Sequence, residues 1–381
     1  MEFTSHLAKF SLILVLICFS FSSFQTTKAC HETDKADLLD FKKNIIDEGS
    51  TKLLKTWIKD TDCCTQWDGV ACDHSNGRVV NVTRNGGSLY LHGIITYMIG
   101  IISPSLGNLK FLRVLELRWL DGLNGSTPSE IGKLLQLTSL FLNENKLSPH
   151  HFNIFINSKI PSSLFVHMAA FSEINLYFNH LSGVIPSSVG KLVSLKKLDL
   201  SWNNLSGSIP STIGSLKNLI ILNLSKNQFS GSIPQSIREL SKLLCMYLSQ
   251  NRLRGSIPSS ISKLIRLYLH NNRFTGSIPS TFSNLKSLTE LDLSRNALDG
   301  ELSTWIGNMR SLRVLQLSNN SFHSVIPSAV INMENLVQFD VSHNRLTGKI
   351  PPHRAPFPAS SFMGNPGLCD SPLPPCNSTA Y

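Results

Sequence analysis

The sequence has few charged residues and lacks the motifs that mark common catalytic sites. Only 16% of its 381 residues are charged, whereas 41% are hydrophobic. Such a chain can bury a large core, but it is too long for one compact globular domain. It contains no H-E-x-x-H, G-x-S-x-G or phosphate-binding glycine loop, and its Ser-x-x-Lys match at 194–197 falls on positions of the repeat described below. We therefore predict that the protein is not an enzyme and uses no cofactor or metal.

Long hydrophobic runs are scarce as well, and the one that stands out lies near the N-terminus. Lys9 precedes the apolar run Phe10–Phe19, and Thr27-Lys28-Ala29 offers a small-residue cleavage site. The run is too short to span a bilayer, so we predict a signal peptide over 1–29 rather than a membrane anchor. No later stretch is apolar and long enough to cross a bilayer, and we expect no transmembrane segment in the mature chain.

Acidic residues are outnumbered by basic ones, which gives a net charge of +10. A basic surface suits nucleic acid, an anionic membrane or an acidic polysaccharide. Because a secreted protein does not meet nucleic acid, we exclude that partner. The charge then points to acidic carbohydrate, to an acidic protein, or to solubility alone.

Cysteines are almost absent from the middle of the chain, where only Cys245 occurs. The cysteines outside the signal peptide and away from the middle lie near the two ends: Cys30, Cys63, Cys64, Cys72, Cys369 and Cys376. Their spacing is not that of paired Cys-x-x-Cys zinc knuckles, so disulfides in an oxidising compartment are the better interpretation. We interpret Cys245 as an unreactive thiol, with pairing to a partner chain as the alternative.

A short phrase does recur: SGSIP at 206–210 and 230–234, RGSIP at 254–258, and TGSIP at 275–279. It ends a longer frame, L-x-x-L-x-x-L-x-L-x-x-N-x-L-x-G-x-I-P, which fits the chain ten times. The copies start at residues 109, 134, 168, 192, 216, 240, 264, 285, 309 and 333. Self-similarity with a period of about 20 to 50 residues is typical of solenoids.

Each position of this frame has a physical role. The L-x-L alternation predicts a short strand, and stacking the repeats aligns the strands into a parallel sheet with one face open to water. Gly permits a backbone shape that other residues resist, and Pro fixes an extended return segment. Buried asparagines can bond the backbone groups that a bend leaves unpaired. These asparagines are Asn145, Asn179, Asn203, Asn227, Asn251, Asn272, Asn296, Asn320 and Asn344.

The L-x-G-x-I-P ending resembles the plant extracellular leucine-rich repeats. The segment DLLDFKKNII…LLKTWIKDTDCCTQWDGVAC is similar to the N-terminal cap of that family, with a helix, a packed Trp57, a cysteine pair and Trp67. The segment SSFMGNPGLCDSPLPPC is similar to its C-terminal cap. The resemblance implies an α/β repeat solenoid, a right-handed leucine-rich repeat superhelix with a parallel concave sheet and disulfide-capped ends.

The resemblance also implies boundaries and disulfide pairs. We expect an N-terminal cysteine-rich cap over 30–78, leucine-rich repeats over 79–352 with a degenerate lead-in over 79–108 and ten repeats over 109–352, and a C-terminal cap and tail over 353–381. Adjacent Cys63 and Cys64 can hardly bond each other without strain. The family implies the pairs Cys30–Cys63, Cys64–Cys72 and Cys369–Cys376.

The concave face is formed by the x positions of x-x-L-x-L-x-x, and aromatic residues at these positions crowd the first seven repeats. Exposed aromatics at consecutive positions are typical of a contact surface, although some can simply pack on each other. Two lysines border the same region and can steer an acidic partner. We predict a ligand-binding surface formed by Trp119, Phe141, Tyr177, Phe178, Lys196, Lys197 and Trp202.

Asn-x-Ser/Thr sequons predict N-glycosylation in a secreted chain. They occur at Asn81, Asn124, Asn204, Asn223, Asn319 and Asn377. A glycan on Asn223 is expected to stand on the concave face, between the predicted surface and Tyr247.

Several repeats depart from the frame. The first has Leu120 in place of the asparagine, and the second carries an insertion near SPHHFNIFINSK, 148–159, which we interpret as a tolerated bulge rather than a recognition loop. The seventh is three residues short, and the eighth reads GELSTW where GSIP is expected. Each departure is expected to distort the stack locally.

A long, shallow sheet suits a protein, a peptide or a polysaccharide better than a small molecule. Two hypotheses follow. The first is a secreted, non-catalytic binding protein of the apoplast or cell wall, in plant defence as an inhibitor of microbial wall-degrading enzymes, or in signalling. The second is the ectodomain of a membrane receptor or receptor kinase at the plasma membrane surface. A complete C-terminal cap near the chain end favours the first. The expected partners are an extracellular protein or peptide, an acidic cell-wall polysaccharide or a receptor-kinase co-receptor.

Overall fold

Short strands from successive repeats form the longest sheet of the computed structural model, which describes residues 28–49, 52–86, 96–120, 123–145, 158–166, 169–261 and 263–376. This concave sheet consists of Val70–Cys72, Val79–Asn85, Val114–Arg118, Ser139–Phe141, Glu173–Asn175, Lys197–Asp199, Ile221–Asn223, Cys245–Tyr247, Arg266–Tyr268, Glu290–Asp292, Val314–Gln316 and Gln338–Asp340. Its first pair is antiparallel and the others are parallel. The predicted parallel sheet is confirmed.

The frame leucines face the core of the solenoid. Leu198 pairs in register with Leu222, and Leu222 with Met246. All three side chains are fully buried, whereas the residues on either side of each are partly exposed. Because successive strand residues point to opposite faces, the polar neighbours form the water-facing surface.

A second sheet, which the sequence analysis did not foresee, follows the asparagine bend. It consists of Ser158–Lys159, Leu181–Gly183, Asn204–Ser208, Gln228–Gly231, Arg252–Gly255, Arg273–Gly276 and Ala297–Leu298. Most of these strands place one apolar residue inward, such as Leu205 or Phe229, and polar residues outward. Gly207 and Gly231 have φ of +76°, which confirms the conformational role of the frame glycine.

Short 3₁₀ helices form the convex side. They span Pro104–Asn108, Ser129–Lys133, Ser162–Phe165, Ser187–Lys191, Ser211–Ser215, Gln235–Glu239, Ser280–Asn284, Thr304–Asn308 and Ala359–Ser361, and Ser328–Ile331 is a single α-helical turn. Most begin directly after the proline of I-P. Between Pro258 and Leu264, at the junction of the sixth repeat with the short seventh repeat, the described residues form no such helix. The missing three residues therefore removed one convex turn.

The frame asparagines link neighbouring repeats. Asn203 donates from Nδ2 to the carbonyl oxygens of Leu176 (2.9 Å) and Leu200 (3.1 Å), and its Oδ1 accepts from the backbone N–H of Leu181 (2.9 Å). The same pattern recurs along the stack and ends at Asn365 in the C-terminal cap. In the first repeat the apolar Leu120 takes the position and is fully buried.

Two caps close the ends of the core. The N-terminal cap begins with helix Glu32–Lys43, and its Trp57 is buried against Trp67 with 5.3 Å between ring centroids. Disulfides join Cys30 to Cys63, Cys64 to Cys72, and Cys369 to Cys376. Two small sheets complete the described strands: Ile45–Gly49 with Thr96–Ile101 and Leu123–Asn124, and His323–Ser324 with Arg345–Lys349 and Gly367–Cys369.

Three of the expectations above concern residues that lie wholly or largely outside the described ranges. They are the signal peptide 1–29, the glycosylation site Asn377 and most of the insertion 148–159. Within the described ranges, no helix has the length and apolar character needed to span a bilayer.

Candidate functional site

The last position of each concave segment, directly before the frame asparagine or its replacement, has a left-handed backbone. Phe178 has φ of +53° and Trp202 has φ of +55°, and all ten repeats share this conformation. It costs a non-glycine residue about 1 kcal/mol or more. Hydrogen bonds to the next repeat offset the cost, since the N–H of Trp202 donates to the carbonyl of Ser225 at 3.0 Å. The bend therefore fixes the backbone under these aromatic side chains.

Three of the predicted ligand-binding residues form one cluster, which we call the aromatic patch: Tyr177, Phe178 and Trp202. The ring centroids of Phe178 and Trp202 lie 5.6 Å apart, and that of Tyr177 lies 5.8 Å from Phe178 and 6.4 Å from Trp202. Phe178 is 49% exposed and Trp202 is 41% exposed. Large apolar side chains thus remain in water although they pack on each other.

A cation that the sequence analysis did not assign to the site belongs to it. The Nζ of Lys226 lies 3.3 Å from the ring centroid of Trp202, in cation–π geometry. Its position in the repeat after Trp202, in the same column of the frame, is the signal that would have identified it. Lys196 is exposed and Lys197 is half-buried, and both lie at the start of strand Lys197–Asp199, whereas Trp202 lies beyond its end.

Polar groups line the strands beside the aromatic patch. Asn223 donates from Nδ2 to Oδ2 of Asp199 (3.2 Å) and to Oγ of Ser201 (3.0 Å). Its Oδ1 accepts from the Ser225 hydroxyl at 2.6 Å. These hydrogen bonds hold the polar groups of Asp199, Ser201 and Asn223 in fixed positions on the concave side.

The other two predicted aromatics do not join the aromatic patch. Phe141 is half-buried, and the guanidinium carbon of Arg118 lies 4.3 Å from its ring centroid. Arg118 in turn pairs with Glu116 at 3.1 Å. Trp119 is half-buried, and within the described ranges it makes no ring contact with Phe141 or the aromatic patch. The predicted aromatic residues therefore divide into the aromatic patch and a separate region in the first and second repeats.

Repeats six to eight carry a different aromatic arrangement, the tyrosine network of Tyr247, Arg266, Tyr268 and Glu290. The two tyrosine rings meet edge to face with centroids 5.1 Å apart. Tyr268 donates its hydroxyl proton to Glu290, which also accepts from Nε of Arg266 at 3.0 Å. Burial raises the pKa of Tyr268, and its bond to Glu290 raises it further. The hydrogen bond from Tyr268 and the pairing with Arg266 hold the pKa of Glu290 below its usual range despite partial burial.

Two further groups border this network. Nδ1 of His270 lies 2.9 Å from Oδ2 of Asp292. Burial alone would raise the pKa of Asp292, but the hydrogen bonds from His270 and Ser294 outweigh it and lower that pKa. Burial and the neighbouring Cys245 thiol raise the pKa of Tyr247. Cys245 is a free, half-buried cysteine.

The predicted glycosylation sites within the described ranges occupy different surfaces. Asn81 and Asn223 lie on concave strands, Asn204 begins a strand of the second sheet, and Asn124 is half-buried at the end of a short strand. Asn319 is exposed at the left-handed position of the ninth repeat. A glycan on Asn223 would substitute one of the two Nδ2 protons, so the amide would lose one of its hydrogen bonds to Asp199 and Ser201.

Three family models match this chain. The leucine rich repeat N-terminal domain matches residues 31–73, one leucine rich repeat model matches 254–300 and 303–346, and another matches 171–192, 194–216, 218–240 and 242–264.

Relatives with known sequence or structure agree. The leucine-rich repeat protein FLOR 1 of Arabidopsis thaliana is 35% identical over 148 residues, which is 39% of this chain and 39% of FLOR 1, so the chain spans about two fifths of that relative. A plant ice-binding protein is 30% identical, with a TM-score of 0.67 over 93% of this chain and 100% of that one. The plant peptide hormone receptor RGFR1, solved in complex with RGF2, is 27% identical, with a TM-score of 0.62 over 76% of this chain and 52% of that one.

The repeat frame, the asparagine bonds between repeats and the capped ends, together with these matches, give one answer. The chain belongs to the plant extracellular leucine-rich repeat family.

Proposed function

We propose that this protein is an extracellular, non-catalytic recognition protein that binds a peptide or protein ligand on its concave face. The single observation that carries the proposal is the aromatic patch: Phe178 and Trp202 are 49% and 41% exposed on a rigid sheet. Large exposed aromatics in contact with each other mark contact surfaces, and Trp and Tyr dominate binding hot spots.

The surroundings of the aromatic patch suit a peptide. Asp199, Ser201 and Asn223 offer a row of fixed polar groups, and Lys196 and Lys226 add positive charge at its edges. An extended ligand can place one apolar side chain against Trp202 while its backbone meets the polar row. A long, shallow sheet agrees with a ligand that spans several repeats.

The likeness to RGFR1, a peptide hormone receptor solved with RGF2, supports a peptide rather than a carbohydrate as the ligand of this face. Whether the protein inhibits a microbial wall-degrading enzyme in the apoplast, or acts with a receptor kinase at the plasma membrane surface, depends on the identity of that ligand. Both roles use the same surface.

The experiment is a selection of displayed random peptides on the secreted, glycosylated protein, followed by calorimetry with the selected peptides made synthetically. We expect peptides whose binding is lost in Trp202→Ala and Phe178→Ala but kept in Tyr247→Phe. The matched control is Val337→Ala, which removes an exposed apolar side chain from the concave face of the last repeat. Peptides that bind all four variants equally would contradict the proposal.

A second candidate function is supported by the outer face of the second sheet. Ser208, Ser232, Ser256 and Ser277 are exposed at equivalent positions of consecutive repeats, and adjacent strands lie about 4.8 Å apart. A rigid, regular array of hydroxyls can order water, and a plant ice-binding protein is similar in structure over 93% of this chain. Inhibition of ice recrystallisation that disappears when Ser232 and Ser256 are both changed to Tyr would support this candidate. Equal inhibition by the variant would exclude it.

A further inference from the structure

Three exposed arginines meet on the outer face of the second sheet, where repeats six and seven adjoin. Arg252 and Arg254 lie on strand Arg252–Gly255, and Arg273 lies on the neighbouring strand Arg273–Gly276. The residues between and after them, Leu253 and Phe274, are fully buried. Because strand side chains alternate, all three arginines project to the solvent side. Arg254 and Arg273 are direct cross-strand partners.

Within the described ranges these arginines have no acidic partner, since none of the ion pairs there includes them. Like charges directly opposite each other on a sheet are destabilising. At the positions of Arg252 and Arg254, the fourth repeat has Asn204 and Ser206, and the fifth has Gln228 and Ser230. Neutral residues thus suffice at these positions of the frame, so the fold does not require the three arginines.

The residues on the two sides of the arginine cluster differ in charge. On the C-terminal side of the arginine cluster, the eighth repeat carries exposed Asp299 and Glu301. On the N-terminal side of the cluster lie neutral residues, with the Ser232 and Ser208 hydroxyls exposed. An anionic chain is repelled from one side, and on the other side it meets hydroxyls that can hydrogen-bond sugar hydroxyls.

We propose that Arg252, Arg254 and Arg273 form a binding site for a linear polysaccharide that bears carboxylates. Guanidinium groups match carboxylates with two parallel hydrogen bonds. Strands about 4.8 Å apart present successive cations to successive charges along an extended polymer. The site shares no residue with the aromatic patch and lies on a different sheet, so it is independent of the proposed peptide recognition.

The test compares two triple variants of the secreted protein in binding to oligogalacturonate by calorimetry. The cluster variant is Arg252→Gln, Arg254→Ser and Arg273→Gln, which uses the residue types found in the neighbouring repeats. The control variant is Lys191→Gln, Arg238→Gln and Arg310→Gln, which removes the same charge from exposed convex positions. We expect the cluster variant to lose about tenfold or more in affinity and the control less than about twofold.

Three outcomes overturn the proposal: no binding by the native protein, equal losses in both variants, or preferential binding of a tyrosine-sulfated peptide over oligogalacturonate. The native affinity should also fall with added salt more steeply than that of the cluster variant. Thermal unfolding of both variants is measured in parallel. Since the substitutions are on the surface, we expect unchanged or slightly raised melting temperatures, and binding of selected concave-face peptides should persist in both.

Discussion

Two aromatic regions of the same concave sheet have opposite characters. In repeats three and four, Phe178 and Trp202 remain 49% and 41% exposed to water, with a cation against the Trp202 ring. In repeats six to eight, Tyr268 is held by Glu290, which Arg266 also binds. The strand and asparagine positions of the frame are the same in both regions. The chemistry of the strand 24 residues further along decides whether an aromatic side chain is available to a ligand or is already engaged.

The largest effect on ligand binding is expected from the removal of the Trp202 side chain. We expect Trp202→Ala to cost about 2 kcal/mol or more in the binding of a peptide selected on the native protein, because a central, partly exposed tryptophan is a typical hot spot. Isothermal calorimetry measures the loss, and thermal unfolding should be nearly unchanged because the ring is 41% exposed. Normal binding by this variant, with loss in Tyr247→Ala, would place the site in the tyrosine network instead.

A substitution in the tyrosine network is expected to lower stability and to leave peptide binding unchanged, which is the reverse of the effect expected for Trp202→Ala. Tyr268→Phe removes the hydroxyl that donates to Glu290 and should lower the free energy of unfolding by about 1 kcal/mol, because one hydrogen bond to a carboxylate is lost while Arg266 remains. Peptide binding should be retained. The matched control is Tyr177→Phe, since the Tyr177 hydroxyl makes no hydrogen bond within the described ranges, and it should be neutral for stability. Urea unfolding distinguishes the two.

The features that could be predicted from the sequence are those that need the same residue type at the same position of every repeat. The inward leucines and the asparagine bonds follow from residues that recur at each repeat, such as Leu198 and Asn203. The second sheet was missed because its outward residues follow no apolar alternation, and its strands exist only through pairing with the next repeat. Of the predicted surface, Tyr177, Phe178 and Trp202 form one cluster. Lys226 was missed because its contact with Trp202 depends on side-chain conformation across 24 residues.

The seventh repeat carries Arg266 and Tyr268 of the tyrosine network, and we expect it to be the least stable part of the stack. It lacks three residues, and the described part of 259–263 forms no convex 3₁₀ helix. Less apolar area is then buried there, at about 25 cal/mol per Å². We expect faster amide hydrogen exchange over 252–274 than over 204–226, by about tenfold. Uniform protection from 192 to 308 would contradict this prediction.

Acid should lower the free energy of unfolding through the Asp292 carboxylate of the eighth repeat. The folded-state pKa of Asp292 is lowered by His270 and Ser294 against the effect of burial, so the carboxylate contributes stability above its unfolded pKa of about 3.9. That contribution is lost as the pH falls below this value through the lower folded pKa. We expect Asp292→Asn to reduce the difference in unfolding free energy between neutral pH and about pH 3. The same substitution at Asp340, which takes the same strand position two repeats later and forms no ion pair within the described ranges, provides the comparison.

The smallest effect is expected at Lys226, whose Nζ covers the Trp202 ring at 3.3 Å. Lys226→Gln removes a cation–π contact of about 0.5–1 kcal/mol at a partly exposed site, so stability should fall by no more than that amount. An acidic peptide should bind the variant more weakly, with a shallower salt dependence, because one steering charge is lost. A neutral peptide should bind equally well or slightly better, because one face of the ring is freed. Calorimetry with a matched acidic and neutral peptide pair measures both. Equal losses for the two peptides would show that Lys226 supports the position of Trp202 rather than the charge of the site.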